Sequence, residues 1–185
     1  QIIENLKGTN IVHTSGSVGL DIFNNKYKNY GVLYPLQTFN KKNAVDIKHT
    51  PILIETNNCE FEKKLVKIAS IISDNIFILN SEEREKIHLA AVFACNFSNH
   101  MYTIANNILK KTNVDFSILM PLIKQNISKI KNNNPLKVQT GPAKRKDFNV
   151  IKKHIQQIND NQIKMIYKLI TQSIIEADEK IQPNE

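Results

Sequence analysis

From Ser81 to residue 110 the chain contains neither proline nor glycine, and its apolar residues fall at 87, 90, 91, 94, 97, 101, 104, 105 and 108. That spacing keeps one face of a helical period. It predicts a single helix of about 30 residues, roughly 45 Å long. Ser81 is read as its N-cap, with Glu82 and Glu83 in the first turn, where carboxylates suit the helix dipole. Between 87 and 97 the pattern is apolar nearly all round, so the helix is expected to lie central in its domain.

The residues before Ser81 read differently. Short β-branched runs at 10–14 (NIVHT), 30–34 (YGVLY), 51–55 (PILIE) and 75–79 (NIFIL) predict four strands. Residues 20–23 suggest one helical turn. Apolar positions 61, 65, 68, 69 and 72 predict a helix over 61–72. The strand runs barely alternate, which suits parallel strands buried on both faces. Strands alternating with helices argue for an α/β layer. The composition switches at Asn80-Ser81, so the domains are drawn as 1–80 (α/β) and 81–185 (all-helical).

Three further helices are expected in the second half. One covers 116–131 with Pro121 near its start. One is capped by Asp147 and periodic at 150, 151, 154, 155 and 158. One is capped by Asp160 and periodic at 163, 166, 167, 170 and 174. Residues 135–146, which hold Gly141-Pro142, read as a loop.

Composition narrows the function classes. The formal net charge is +8, yet the lysines are scattered among asparagines and isoleucines. The one compact basic cluster, Lys144-Arg145-Lys146, has no interleaved aromatics for base stacking, so no nucleic-acid partner is expected. No apolar stretch reaches 18 residues, so no membrane span is expected. Two cysteines, Cys59 and Cys95, give neither a disulfide framework nor a metal spacing. A reduced, cytoplasmic chain without a metal centre is the expectation.

Four constellations could carry chemistry. His13-Thr14-Ser15-Gly16-Ser17 ends the first strand, where ligands of open α/β sheets bind. Tyr34-Pro35-Leu36-Gln37-Thr38 ends the second. On the long helix, residues 88, 92, 95, 99 and 102 share a face at 3.6 residues per turn, which sets His88, Cys95, Asn99 and Tyr102 in one stripe beside Asn96. Polar groups in so apolar a stretch need hydrogen-bond partners or a ligand. Finally, Lys144 and Arg145 precede a helix N-terminus and could grip an anion. Each has a plain structural alternative: a capped turn for the two strand ends, a buried polar network for the helix, solvated lysines for the basic loop. No Gly-x-Gly-x-x-Gly occurs; Gly16-Ser17-Val18-Gly19 has the wrong spacing.

HTSGSVGLDIF (13–23), YGVLYPLQTF (30–39), HLAAVFACNFSNHMY (88–102) and QTGPAKRKD (139–147) together resemble the Rossmann-like proteins that carry a C-terminal helical domain of unknown function 2520. The resemblance implies the C-terminal part of a Rossmann-like parallel sheet plus a helical dimerisation domain of the 6-phosphogluconate-dehydrogenase type. It also implies kinship with pyrroline-5-carboxylate and ketopantoate reductases. By this resemblance the chain is an NAD(P)-dependent oxidoreductase passing a hydride to or from a small carbonyl or imine in an interdomain cleft, and a homodimer through the helical domain. His88, Asn96 and Asn99 would be catalytic. His13, Thr14, Ser15, Gly16, Tyr34, Pro35 and Gln37 would face the nicotinamide of NADP or NAD. Lys144 and Arg145 would meet substrate or another anion. The competing class is a non-catalytic dinucleotide-binding or dimerisation module. Two departures stand out. The opening QIIENLKG reads as a helix end well inside the Rossmann domain, so the glycine-rich phosphate loop is expected to be missing. Relatives also tend to read Arg-Gly-Asp where this chain has Arg145-Lys146-Asp147.

Overall fold

The computed structural model describes residues 10–24, 26–40 and 44–180. The chain divides into two compact units, one ending at Met101 and the other beginning at Tyr102.

The first unit is built on four strands: β1 (Asn10–His13), β2 (Asn29–Pro35), β3 (Ile52–Thr56) and β4 (Ile76–Ile78). They lie side by side in chain order. β1 pairs with β2 in parallel and β3 with β4 in parallel, whereas β2 and β3 run antiparallel, with Leu33 opposite Ile54. The sheet is mostly parallel, and the all-parallel expectation is corrected at its centre. Among the described residues of 36–51 the one helical element is the 3₁₀ turn Ile47–His49. The strands they join are neighbours, so no crossover helix is needed to reverse the chain.

Burial concentrates in the central pair. Ile52, Leu53 and Ile54 of β3 and Val32 of β2 are all but inaccessible. Burying each is worth about 1.5–3 kcal/mol. β1 and β4 are half-covered at best, with Val12, Phe77 and Ile78 exposed, so burial on both faces holds for β2 and β3 alone. Helix α1 (Cys59–Ile72), capped by the Asn58 side chain on the Phe61 amide, sets Leu65 and Ala69 on Ile52 and Ile54. A second cluster, Phe23, Tyr27 and Tyr30 against Ile11 and Leu20, fills the space beside β1.

Helix α2 (Ser81–Ala91) follows β4. Its N-cap is Asn80 rather than Ser81: the Asn80 side chain accepts from the Glu83 amide, and the Glu83 carboxylate accepts from the Asn80 amide, each at 2.9 Å. This reciprocal capping box satisfies two orphan amides. Ser81 is thereby freed for another role. Helical backbone continues to Leu109 through a π segment, Val92–Phe97, and helix α3 (Ser98–Leu109). No side chain of the π segment or of α3 is buried, and Phe93 is 62% exposed. The expected central burial does not hold within this chain: the residues of this run are half-buried or exposed.

In the second unit, a 3₁₀ turn (Phe116–Leu119) precedes α4 (Met120–Lys131), with Pro121 in its first turn, where a missing amide costs nothing. Pro135–Val138 forms another 3₁₀ turn inside the stretch read as loop. Helices α5 (Phe148–Gln157) and α6 (Asn161–Glu179) are capped by Asp147 and Asp160, as their side chains foretell. Among the described residues no helix is long and apolar enough to cross a membrane.

Candidate active site

The parallel register of β1 and β2 sets His13 opposite Val32. The turn after β1 and the Tyr34 end of β2 therefore leave the sheet on the same side. Helix α2 brings His88 to them. Tyr34 Oη and His88 Nδ1 are 3.0 Å apart, and the two rings meet edge to face at 5.8 Å. Gly16 lies flush against this pair. A Cβ there would stand 2.6 Å from His88 Nδ1 and 2.8 Å from Tyr34 Cζ. Only glycine allows that approach, and the requirement is space rather than backbone angle.

His13 shapes the turn. Its Nδ1 accepts from the Ser15 amide at 3.2 Å, and Ser15 Oγ accepts from the Ser17 amide at 3.3 Å. Its ring stacks on Phe23. Burial, seconded by the positive charge of Arg84, holds the His13 imidazole below the usual histidine range. Neutral His13 can accept at Nδ1, so the shift favours the observed turn. Burial pushes the Tyr34 phenol up, so it keeps its proton near neutral pH.

Three residues that sequence reasoning passed over complete the arrangement. Arg84, only 1% exposed, pairs with Glu55 at the end of β3 and donates to the Val18 carbonyl. Ser81 Oγ donates to the Glu55 carboxylate at 2.8 Å and accepts from the Leu20 amide at 3.3 Å. The signal was present: Arg84 lies four residues before His88, hence on its helix face one turn earlier.

The remaining predicted positions fall elsewhere. Thr14 is exposed and Pro35 half-buried. Gln37 is turned to its surroundings, with Nε2 3.5 Å from Thr50 Oγ1 and Oε1 accepting from the Thr38 amide at 2.8 Å. Asn96 and Asn99 are both exposed. The stripe drawn through 88, 95, 99 and 102 assumed 3.6 residues per turn throughout. The π segment Val92–Phe97 winds wider and rotates everything after it relative to His88. Lys144 belongs to the second unit, where its ammonium pairs with the well-covered Asp178. Lys146 pairs with Glu179, and Arg145 is exposed. The second unit also holds a cavity of about 570 Å³ lined by Ile104, Ile108, Ile163 and a hydrogen-bonded His154–Tyr167 pair.

A mostly parallel sheet with its polar cluster at one strand end, followed by a helical unit, defines a Rossmann-like α/β protein with a C-terminal helical domain. The sequence matches the domain of unknown function DUF2520 over residues 50–174, and the chain belongs to that family. Its fold is similar to that of "putative NADP oxidoreductase BF3122" from Bacteroides fragilis. The TM-score is 0.86 and the identity 42%, over 90% of this chain and 65% of that one. It is also similar to protein TM1727 from Thermotoga maritima, with a TM-score of 0.71 and 25% identity over 94% of this chain and 70% of that one. This chain thus spans just under two thirds of the length of the Bacteroides protein. No curated protein matches it.

Proposed function

We propose that the protein is an NADP-linked oxidoreductase acting on a small carbonyl or imine, with His88 as the proton-donating group. The observation that carries the reading is the His88–Tyr34 pair seated on Gly16 at the ends of β1 and β2. The oxidoreductase-like fold and the name of the Bacteroides relative support it.

The residues present suit the nicotinamide end of such a cofactor. Thr14, Ser15 and Ser17 offer hydroxyl groups at the strand end, around the Gly16 backbone on which His88 and Tyr34 are packed. When bound, the cofactor supplies the hydride. The chain's own part is the proton. His88 Nδ1 is engaged with Tyr34 Oη, which leaves Nε2 to meet the substrate heteroatom. Protonated His88 gives its Nε2 proton to the carbonyl oxygen or imine nitrogen and keeps its Nδ1 proton on Tyr34 Oη. Tyr34, held neutral by burial, serves as a fixed acceptor and orients the ring.

The test is a titration of NADPH into the protein, read by nicotinamide emission; the chain has no tryptophan to interfere. Binding is expected, with turnover of a keto or imino acid. His88→Gln is expected to lower that turnover at least about 100-fold, the usual share of a general acid. Absence of NADPH binding would leave the non-catalytic reading in its place.

A further inference from the structure

We propose that Arg84 is the positioning residue of the His88–Tyr34 pair: its buried guanidinium ties the turn after β1 and the end of β3 to the first turn of α2, and so holds His88 against Tyr34. The importance of this role rests on the function proposed above, whereas its geometry stands on the structure alone.

The argument starts from cost. A guanidinium 1% exposed has surrendered its hydration, and that loss is offset only by charge pairing and good hydrogen bonds. Arg84 finds them on two separate segments through its two Nη groups, while its Nε is buried without a hydrogen-bond partner among the described residues. One Nη donates to the Glu55 carboxylate at the end of β3. The other donates to the Val18 carbonyl, in the turn that carries Gly16, with Ser81 Oγ also at 3.4 Å. Ser81 repeats the link by joining Glu55 to the Leu20 amide. The planar fork of arginine can serve two acceptors in fixed directions, which an ammonium on a flexible stem cannot.

The consequence reaches His88 along the helix. Residues 84 and 88 are one turn apart on one face, with regular α-helix between them. Anchoring Arg84 to the turn therefore sets both the height and the rotation of His88 over Gly16. The partners it must meet, Tyr34 and Gly16, belong to the two strand ends that flank the same network. The π segment begins only after Ala91, so the register from Arg84 to His88 is intact.

The experiment reads the His88 imidazole directly. In ¹⁵N-labelled full chain, long-range nitrogen–proton correlation gives the tautomer ratio of the neutral ring. A hydrogen bond of ordinary strength to Tyr34 should bias that ratio about fivefold from the value for free imidazole. Tyr34→Phe is expected to abolish the bias and provides the calibration. Arg84→Lys, which keeps the charge and loses the fork, is expected to give the Tyr34→Phe value. The double variant Arg84→Met/Glu55→Leu refills the buried space without charges; it should keep the wild-type circular dichroism and still lose the bias. A wild-type ratio in either Arg84 variant overturns the proposal. If both fail to fold, Ser81→Ala decides, since it removes the hydroxyl that joins Glu55 and Arg84 to the Leu20 amide but leaves the Arg84–Glu55 pair, and it is expected to move the ratio part of the way. An unmoved ratio there overturns the proposal as well. NADPH titration is separate. A lost bias in the variants with no NADPH binding by wild type sinks the oxidoreductase reading alone, and NADPH binding with an unmoved ratio sinks this one alone.

Discussion

Gly16→Ala is the sharpest probe of the site. The new Cβ would sit 2.6 Å from His88 Nδ1 and 2.8 Å from Tyr34 Cζ. Ordinary carbon contacts begin near 3.4 Å, so the imidazole has to retreat by about 0.8 Å from its present place. The same Cβ pushes on Tyr34, so the two rings part and the 3.0 Å hydrogen bond between Nδ1 and Oη is stretched towards the limit of hydrogen-bond reach. The cost has two parts. Forcing a methyl into a filled site costs about 1–3 kcal/mol. Losing the Tyr34–His88 bond adds about 1 kcal/mol. A destabilisation of roughly 2–4 kcal/mol is expected in urea-induced unfolding. The variant should also show the His88 tautomer ratio of Tyr34→Phe. The double variant Gly16→Ala/His88→Ala should recover part of the loss, because the nearer of the two obstructing rings is gone. Wild-type stability in Gly16→Ala, or a double variant no better than the single, would refute the claim that the turn is packed against this pair.

Two other expectations follow from local geometry. Lys146 has φ +54°, in the left-handed region. That conformation costs a residue with a Cβ about 1–2 kcal/mol. Lys146→Gly relieves the strain, forfeits a half-exposed ion pair with Glu179 worth a few tenths of a kcal/mol, and adds some unfolded-state entropy. A net gain of about 0.5–1 kcal/mol is expected in thermal unfolding; a loss would show the ion pair to dominate. His13 supplies the pH dependence. Its folded pKa is lowered, so the unfolded chain binds the extra proton first as pH falls. Its contribution is complete above the unfolded value near 6.5 and is lost as pH drops towards the folded one. His13→Asn, which preserves an acceptor for the Ser15 amide, should flatten the decline in stability between about pH 7 and pH 5. An equally steep decline would assign it to other groups.

How much of this was legible in the sequence follows from what each element depends on. α1 was readable from its apolar stripe, and α5 and α6 from their stripes and Asp caps, because these signals are local. The four strands were readable as β-branched runs, but their directions were not. Parallel and antiparallel central strands present the same fully buried pattern, and only the connection across 36–51 decides between them. The N-cap was misplaced by one residue because Asn80 and Ser81 are equally competent. The outcome turned on Glu83, which lies three residues after Asn80 and so completes a capping box there, whereas Ser81 is drawn to Glu55.

The site divides along the same line between local and distant. Gly16, Tyr34 and His88 were each marked by position: a strand end, a strand end and a polar residue on an apolar helix. Their meeting is tertiary, and so is the reason for Arg84. In sequence, Arg84 sits among Glu82, Glu83, Glu85 and Lys86 and reads as one more charge on a solvated first turn. Only the fold shows that its neighbours stay in water while it does not. Helical periodicity could have separated them, for 84 and 88 share a face whereas 82, 85 and 86 project elsewhere. The same arithmetic fails beyond Ala91, where the π segment alters the turn and carries Asn99 off the His88 stripe. The helix is thus regular where it must hold His88 in register with Arg84, and irregular just after that demand ends.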